Sequence, residues 1–464
     1  MSLCDSFIFD LAEVFPWTSP PGAMIPSETI RRMMHSTPYL DYERNRLGED
    51  ELYIILSSQF SLPVSLIAEH FRSSRSNRRA HDILFPCIRY LKRARPRSRV
   101  YGVWNISTPD WDAFLNTSPS DLLTEFDGVT TSSDAGERIS RAEFFRRLVE
   151  STGQDVSRSA LISTEVEHII AATTLGIVGV HYRLNEVSEL KRTLRTLARD
   201  AIADGERWLS DHAGRMWSTT DTGVDVKDNF NQLLMLEVTS SPVLTTADYP
   251  ADIDTTSIAC TAMDDYFPAD MKNDIMDDIL TTRNEDGFTL MYHDPSRPRL
   301  DHVVCVNVLT FFHANGRIHE LPQMLDWVVT ILKARAYVWG TRYYMYLGAD
   351  LFLYFLSRLL ALPSPLPGHA VGLQALFKER VAERFGEPGD ASALSMRILA
   401  AAACGLQDRR GYDQLLMLQE EDGAWPTGWI YKYGMSDILI GNKGLTTAMA
   451  VAAIRKSREL EAER

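Results

Sequence analysis

The feature that most limits the fold is a change of hydrophobic period near residue 185. Before it, short apolar runs alternate with helical stretches. Ser6-Phe7-Ile8-Phe9-Asp10 reads as a buried strand ending in a carboxylate, and 99–107 returns to strand. A helix near 141–152, a strand at 159–163, a helix near 166–175 and a strand at 177–182 follow. That alternation predicts a doubly wound α/β sheet. Between the first two strands, apolar faces in 51–56 and 66–71 predict a helical cap over about 20–95. Beyond 185 helical spacing takes over, as in Leu190, Leu194 and Leu197 and in 325–332, with Gly, Pro and aromatic residues in the loops. The expected division is an α/β domain at 1–184 and an all-α domain of helix–loop–helix units at 185–464.

Composition sets outer limits. A chain of 464 residues, 45% hydrophobic and 24% charged, has the make-up of a soluble globular protein and room for two or three cores. A net charge of −14 argues against a nucleic-acid partner or an anionic membrane surface. An anionic ligand must therefore be met by a local cluster of Lys and Arg. Cys4, Cys87, Cys260, Cys305 and Cys404 are scattered and include no Cys-x-x-Cys pair, which points away from a zinc site or a disulfide framework. The richest apolar stretch, 351–362, is broken by Ser357 and Arg358 and is too short for a membrane span. No basic segment followed by an apolar run opens the chain, so the expected location is cytoplasmic.

The candidate chemistry sits in Asp252-Ile253-Asp254-Thr255-Thr256, an acidic knot running into an apolar helix. Asp and Thr cap helices well, so either carboxylate has a purely structural role open to it. The alternative is a carboxyl kept protonated by its surroundings and used as an acid. The clusters 264–270 and 274–278 lack the Asp-Asp-x-x-Asp spacing that would hold several magnesium ions, and Pro268 interrupts the first. They read as solvated acidic turns or faces. No histidine pair has metal-ligand spacing.

Asp-x-Asp-Thr-Thr resembles the acid motif of class II terpene cyclases, in the variant of drimane-type sesquiterpene cyclases fused to a haloacid-dehalogenase-like domain. Four further blocks, 292–301, 340–344, 422–429 and 441–447, resemble that family in the expected order, and 419–426 is similar to the glutamine–tryptophan turn of its α/α-barrel. The resemblance implies a haloacid-dehalogenase-like α/β domain followed by an α/α-barrel cyclase domain of the β type. It implies Asp254 as the proton donor and Asp252 as its orienting partner, with Thr255 and Thr256 as uncharged hydrogen-bonding groups. Farnesyl diphosphate would be cyclised to a bicyclic drimane diphosphate, with magnesium accompanying the diphosphate. Arg297, Arg299, Arg342, Lys432 and Lys443 lie in or near the blocks as candidate diphosphate contacts. Trp339, Tyr343, Tyr344, Phe352, Trp425 and Trp429 are candidates for stabilising the cation through their aromatic faces.

The first domain resembles the haloacid-dehalogenase phosphatases incompletely. Asp10 matches their nucleophile, but their Ser falls on Trp104 beside Asn105, their Lys on Ile139, and their magnesium-binding acidic pair on Ser163 and Thr164. Without the Lys or the metal, a carboxylate facing a phosphate repels it. The expectation is a degenerate scaffold and a separate phosphatase acting downstream. Two alternatives stay open: a bifunctional enzyme releasing a drimenol-type alcohol through Asp10, and a non-catalytic interaction protein.

Overall fold

The computed structural model describes all residues except 1–2, 13, 16–21, 76–83, 95, 118–122, 184–185, 240–251, 295, 340–347, 368–371, 434–435 and 464. The chain divides into two compact units, Met1–Asp200 and Ala201–Arg464.

In the first unit β1 (Ser6–Asp10), β2 (Arg99–Trp104), β3 (Gly128–Thr131), β4 (Ser159–Ser163) and β5 (Val178–His181) form a parallel sheet in the order β3-β2-β1-β4-β5. Alternation along β1 sends Phe7 and Phe9 to one face and Ile8 to the other, each into its own apolar cluster. Helices cover both faces, so every β1 side chain is buried. Of the helices, α1 (Ser27–Met34), α2 (Thr37–Glu43), α3 (Glu49–Phe60) and α4 (Val64–Arg75) share a separate core that includes Ile30, Tyr42, Leu52 and Phe71. These four are the cap. The fifth helix of the expected cap, α5 (Phe85–Ala94), instead buries Cys87, Ile88 and Leu91 against the sheet. The remaining helices are α6 (Thr108–Thr117), α7 (Ser132–Ala135), α8 (Ala142–Thr152), α9 (Val166–Thr173) and α10 (Val187–Ala198). Leu190, Leu194 and Ala198 of α10 pack into the sheet core, so the division falls one helix later than the change of period.

The second unit contains α11 (Ala201–Asp211), α12 (Phe230–Thr239), α13 (Ile253–Ala262), α14 (Ala269–Thr281), α15 (His302–Ala314) and α16 (Pro322–Ala334). It continues with α17 (Ala349–Leu360), α18 (Leu373–Ala382), α19 (Ala391–Ala403), α20 (Arg409–Leu418) and α21 (Lys443–Ala462). Each of α12, α13, α15, α17, α19 and α21 packs on the next, and α21 returns to α12, closing an inner ring. The remaining five helices pack outside it. Twelve of the thirteen residues of α15 are buried, as a helix enclosed on all sides requires. Because an outer helix returns the chain between successive inner ones from α13 onward, those inner helices start at one end of the barrel. Asp252, Asp301, Asp390 and Asn442 are the N-caps there.

The unit is not wholly helical. Four short strands, β6 (Ser218–Thr220), β7 (Asp225–Val226), β8 (Trp429–Lys432) and β9 (Leu439–Gly441), form an antiparallel sheet in the order β7-β6-β9-β8. They precede α12 and α21 in the chain. Runs of two to four residues are too short for their alternation to register beside long helices.

Candidate active site

The start of α13 sets its two carboxylates in different surroundings. Asp252 is the N-cap: its Oδ1 accepts the Thr255 N–H at 2.6 Å and its Oδ2 accepts the Thr255 hydroxyl at 2.9 Å. Thr256 turns its hydroxyl back to the Asp252 carbonyl at 2.7 Å, so both threonines serve the helix start. Asp254, within the first turn and 1% exposed, is not the cap. Its Oδ1 accepts the side-chain N–H of Asn307, on α15, at 2.7 Å.

Burial pushes the Asp252 carboxyl up from its ordinary value, against the opposing pull of the Thr255 donors and the Asp254 N–H. The nearby Asp228 pushes in the same direction as burial, and burial raises Asp228 as well. A second carboxyl, Asp301, caps α15 by accepting the Val303 N–H at 2.7 Å. The Cys305 thiol is raised well above its usual range by burial first, then by Asp301 and Asp254. Asp228 and Asp252 are thus two neighbouring buried carboxyl groups that resist ionisation.

A loop before α15 is strapped to this helix start. The Ile253 N–H donates to the Met291 carbonyl at 2.9 Å, and the Met291 N–H to the Arg299 carbonyl at 2.8 Å. On this strap the guanidinium groups of Arg297 and Arg299 lie 4.2 and 5.8 Å from the Tyr292 ring centroid. Two of the five expected cationic contacts are therefore brought beside the acid helix. Lys432 pairs with Asp437 at 3.1 Å on β8. Lys443 pairs with Glu420 and Asp422, at 2.5 and 3.1 Å. Arg342 lies outside the described residues, as do Tyr343 and Tyr344.

The aromatic candidates separate by burial. Phe352 is enclosed, stacked on Tyr337 at 5.2 Å and met edge-on by His302 at 5.2 Å. Trp339 is 88% exposed. Trp425 is fully buried, but its indole N–H donates to the Leu415 carbonyl at 2.7 Å: it is a packing residue of the glutamine–tryptophan turn. Trp429 is partly buried on β8 and its backbone N–H donates to Asp390 at 3.0 Å. Sequence reasoning missed Asn307, although a lone amide in the apolar run 303–312 was a visible signal. It also treated Arg358 only as a break in an apolar stretch.

In the first unit Asp10 stands at the carboxyl end of the central strand. Its Oδ2 lies 2.7 Å from His168 Nδ1 and accepts the Ser163 hydroxyl at 2.9 Å; its Oδ1 accepts the Ala12 N–H at 3.1 Å. Trp104 is buried against Phe15 and Phe114, and Ile139 is fully buried. Among the described residues, no three His, Cys, Asp or Glu side chains converge as a metal site in either unit. In the acidic runs near 264–278, Asp264 pairs with Lys272 and Asp277 with Arg317 at 2.6 Å, and Asp278 lies 3.2 Å from His293 Nδ1. No helix among the described residues is long and apolar enough to cross a membrane.

The sesquiterpene cyclase astC-like C-terminal domain matches residues 202–244 and 239–315, a span holding Asp252, Asp254 and Asn307. Drimenol cyclase drtB from Aspergillus calidoustus is 36% identical over 474 residues, covering 97% of this chain and 88% of that protein. The chain belongs to the drimenol cyclase family. It is an enzyme, a class II terpene cyclase of the haloacid-dehalogenase-like fusion type. The first unit has its own relative: sesquiterpene phosphatase astK from Aspergillus oryzae is 28% identical over 183 residues, 39% of this chain and 91% of that protein. The type II terpene cyclase MstE from Scytonema aligns in structure with a TM-score of 0.41 and 12% identity, over 56% of this chain and 98% of that one.

Proposed function

We propose that this cyclase converts farnesyl diphosphate into a bicyclic drimane-type diphosphate and leaves the diphosphate attached. The observation that carries the reading is Asp254, a buried carboxyl on the acid motif held by the neutral amide of Asn307. Asp254 gives its proton to one carbon of the distal alkene, and the other carbon becomes cationic. The next two alkenes attack in turn, forming two ring bonds and leaving a bicyclic cation. Loss of a proton to a base, or capture by water, ends the reaction. Asp252 and Asp228, both raised by burial, support a neutral Asp254 by making a second or third negative charge at this end costly. Arg297 and Arg299 on the strap hold the diphosphate in this reading, and Phe352 faces the cation. Magnesium, where present, arrives with the substrate's diphosphate.

Retention of the diphosphate is supported by the surroundings of Asp10. Three donors already satisfy its carboxylate, and hydrophobic Trp104 and Ile139 stand where phosphatases have a Ser and a Lys. The opposite outcome, release of a free alcohol through Asp10, is favoured by the names of two relatives, a drimenol cyclase and a sesquiterpene phosphatase. Incubation with farnesyl diphosphate, extracted with and without added phosphatase, separates the two. The expected result is a bicyclic alcohol seen only after phosphatase treatment and abolished by Asp254→Asn. Alcohol without phosphatase makes the enzyme bifunctional; unchanged turnover by Asp254→Asn removes Asp254 as the acid.

A further inference from the structure

We infer that Arg358 is a positioning residue for the acid: through Asn307 it decides which oxygen of Asp254 carries the transferable proton. The inference rests on the reading of Asp254 as proton donor.

A guanidinium only donates hydrogen bonds. Arg358 Nη1 lies 3.3 Å from Asn307 Oδ1, so the carbonyl end of that amide is turned toward Arg358. Its NH2 end is then committed to Asp254, where it donates to Oδ1 at 2.7 Å. In a neutral carboxyl group the oxygen that accepts an amide N–H is the carbonyl oxygen. The proton therefore sits on Oδ2. Without a pure donor on its far side, the amide is free to turn over, offer its carbonyl oxygen to Asp254 and trap the proton there.

Arg358 is fixed in turn. Its Nε donates to Glu237 Oε1 at 2.9 Å and its Nη2 lies 2.8 Å from the same oxygen. Nη2 also donates to the Thr261 hydroxyl at 3.4 Å, and the guanidinium lies 5.5 Å over the Phe355 ring. Glu237 comes from α12, Thr261 and Asp254 from α13, Asn307 from α15 and Arg358 from α17. Four neighbouring inner helices thus contribute to one chain of contacts, and closing the barrel sets the acid's geometry.

The chain also alters acid strength. The positive charge polarises the amide and strengthens the N–H bond to Oδ1, which favours the carboxylate left after proton transfer. Standing one residue away, Arg358 does so without pairing directly with Asp254, a contact that would ionise the acid before substrate arrives.

The test uses the full-length enzyme with farnesyl diphosphate, measuring kcat, KM and the alkaline limb of the kcat–pH profile. Asn307→Ala is expected to lower kcat about 100-fold with KM little changed. Arg358→Met combined with Glu237→Gln, which removes the cation and the charge of its partly exposed partner together, is expected to lower kcat about 10-fold. Both shift the alkaline limb upward by about one pH unit, because a weaker donor to Oδ1 weakens the acid. Adding Arg358→Met to Asn307→Ala costs nothing more, and Arg358→Lys recovers part of the rate. Unchanged kcat and limb in the Arg358/Glu237 variant overturn the inference, as do losses that add. Should Asp254→Asn keep its activity, the acid assignment itself fails; should it be inactive while the Arg358/Glu237 variant is normal, only the positioning role fails.

Discussion

Single residues at this barrel end are set against one another by pH. Burial alone holds the His302 imidazole down to about 4, from an ordinary 6.5. Below 6.5 the unfolded chain therefore binds a proton that the native chain refuses. Stability falls as pH drops from 6.5 toward 4, by up to about 3 kcal/mol in total. Asp228 and Asp252 act from the other side. Their folded values are raised, so the stability they contribute is present below the ordinary carboxylate range and is lost as pH rises through the raised values. His302→Phe, which keeps an aromatic ring against Phe352, should flatten the acid limb of a melting-temperature series. Asp228→Asn, which can still accept the Asn231 N–H, should raise the melting temperature more at pH 8 than at pH 4. Parallel curves for wild type and variants would mean that these groups are not held away from their ordinary values.

Between elements, the glutamine–tryptophan turn shows why a family-like block need not be a catalytic one. Gln419 Nε2 donates to the Ala201 carbonyl at 2.9 Å and to the Gly423 carbonyl at 2.8 Å. Gly423 has a φ of +101°, and a Cβ there would come within 2.6 Å of the Asp204 carbonyl oxygen, so only glycine fits. The Trp208 indole donates to Asp422 at 3.1 Å, and Lys443 lies 5.4 Å over the Trp208 ring. The turn fastens α11, α20 and α21 together. Trp425→Phe, which leaves the Leu415 carbonyl without its donor, should cost about 2 kcal/mol in denaturant unfolding. Lys443→Met should cost under about 1 kcal/mol, since its partners are half exposed, and leave KM for the diphosphate unchanged. A tenfold rise in KM would return Lys443 to the substrate site. What was legible in the sequence was local: the cap at Asp252, the strand at 6–10 and the helical period were all written within a few neighbouring residues. The partners that complete the sites were not. Asn307 lies 53 positions from Asp254, and His168 lies 158 from Asp10. Those pairs form only when the barrel and the sheet close. Phe352 and Trp339 likewise looked equivalent, because tertiary burial, not residue type, separates them.

At the scale of the whole molecule, each unit buries a carboxyl group at the end of an element. In the second, Asp254 accepts from Asn307 at the start of α13; in the first, Asp10 accepts from Ser163 and Ala12 and lies against His168. His168 is the decisive neighbour. Its imidazole lies against Asp10 Oδ2, and the Ser163 hydroxyl donates to the same oxygen. The sheet places Asp10 at the carboxyl end of β1, where a parallel α/β sheet carries its active groups. This has a direct physical consequence for metal binding by the first unit. Millimolar magnesium should not raise the melting temperature of the ligand-free enzyme, and Asp10→Asn should change neither that response nor the product. Replacing His168 by Ala together with Ser163 by Asp frees an Asp10 oxygen and adds a second carboxylate, and should create a magnesium-dependent rise of a few degrees. If the unaltered enzyme already shows such a rise and Asp10→Asn abolishes it, the first unit binds the metal in spite of His168. Diphosphate release at Asp10 would then regain its physical basis.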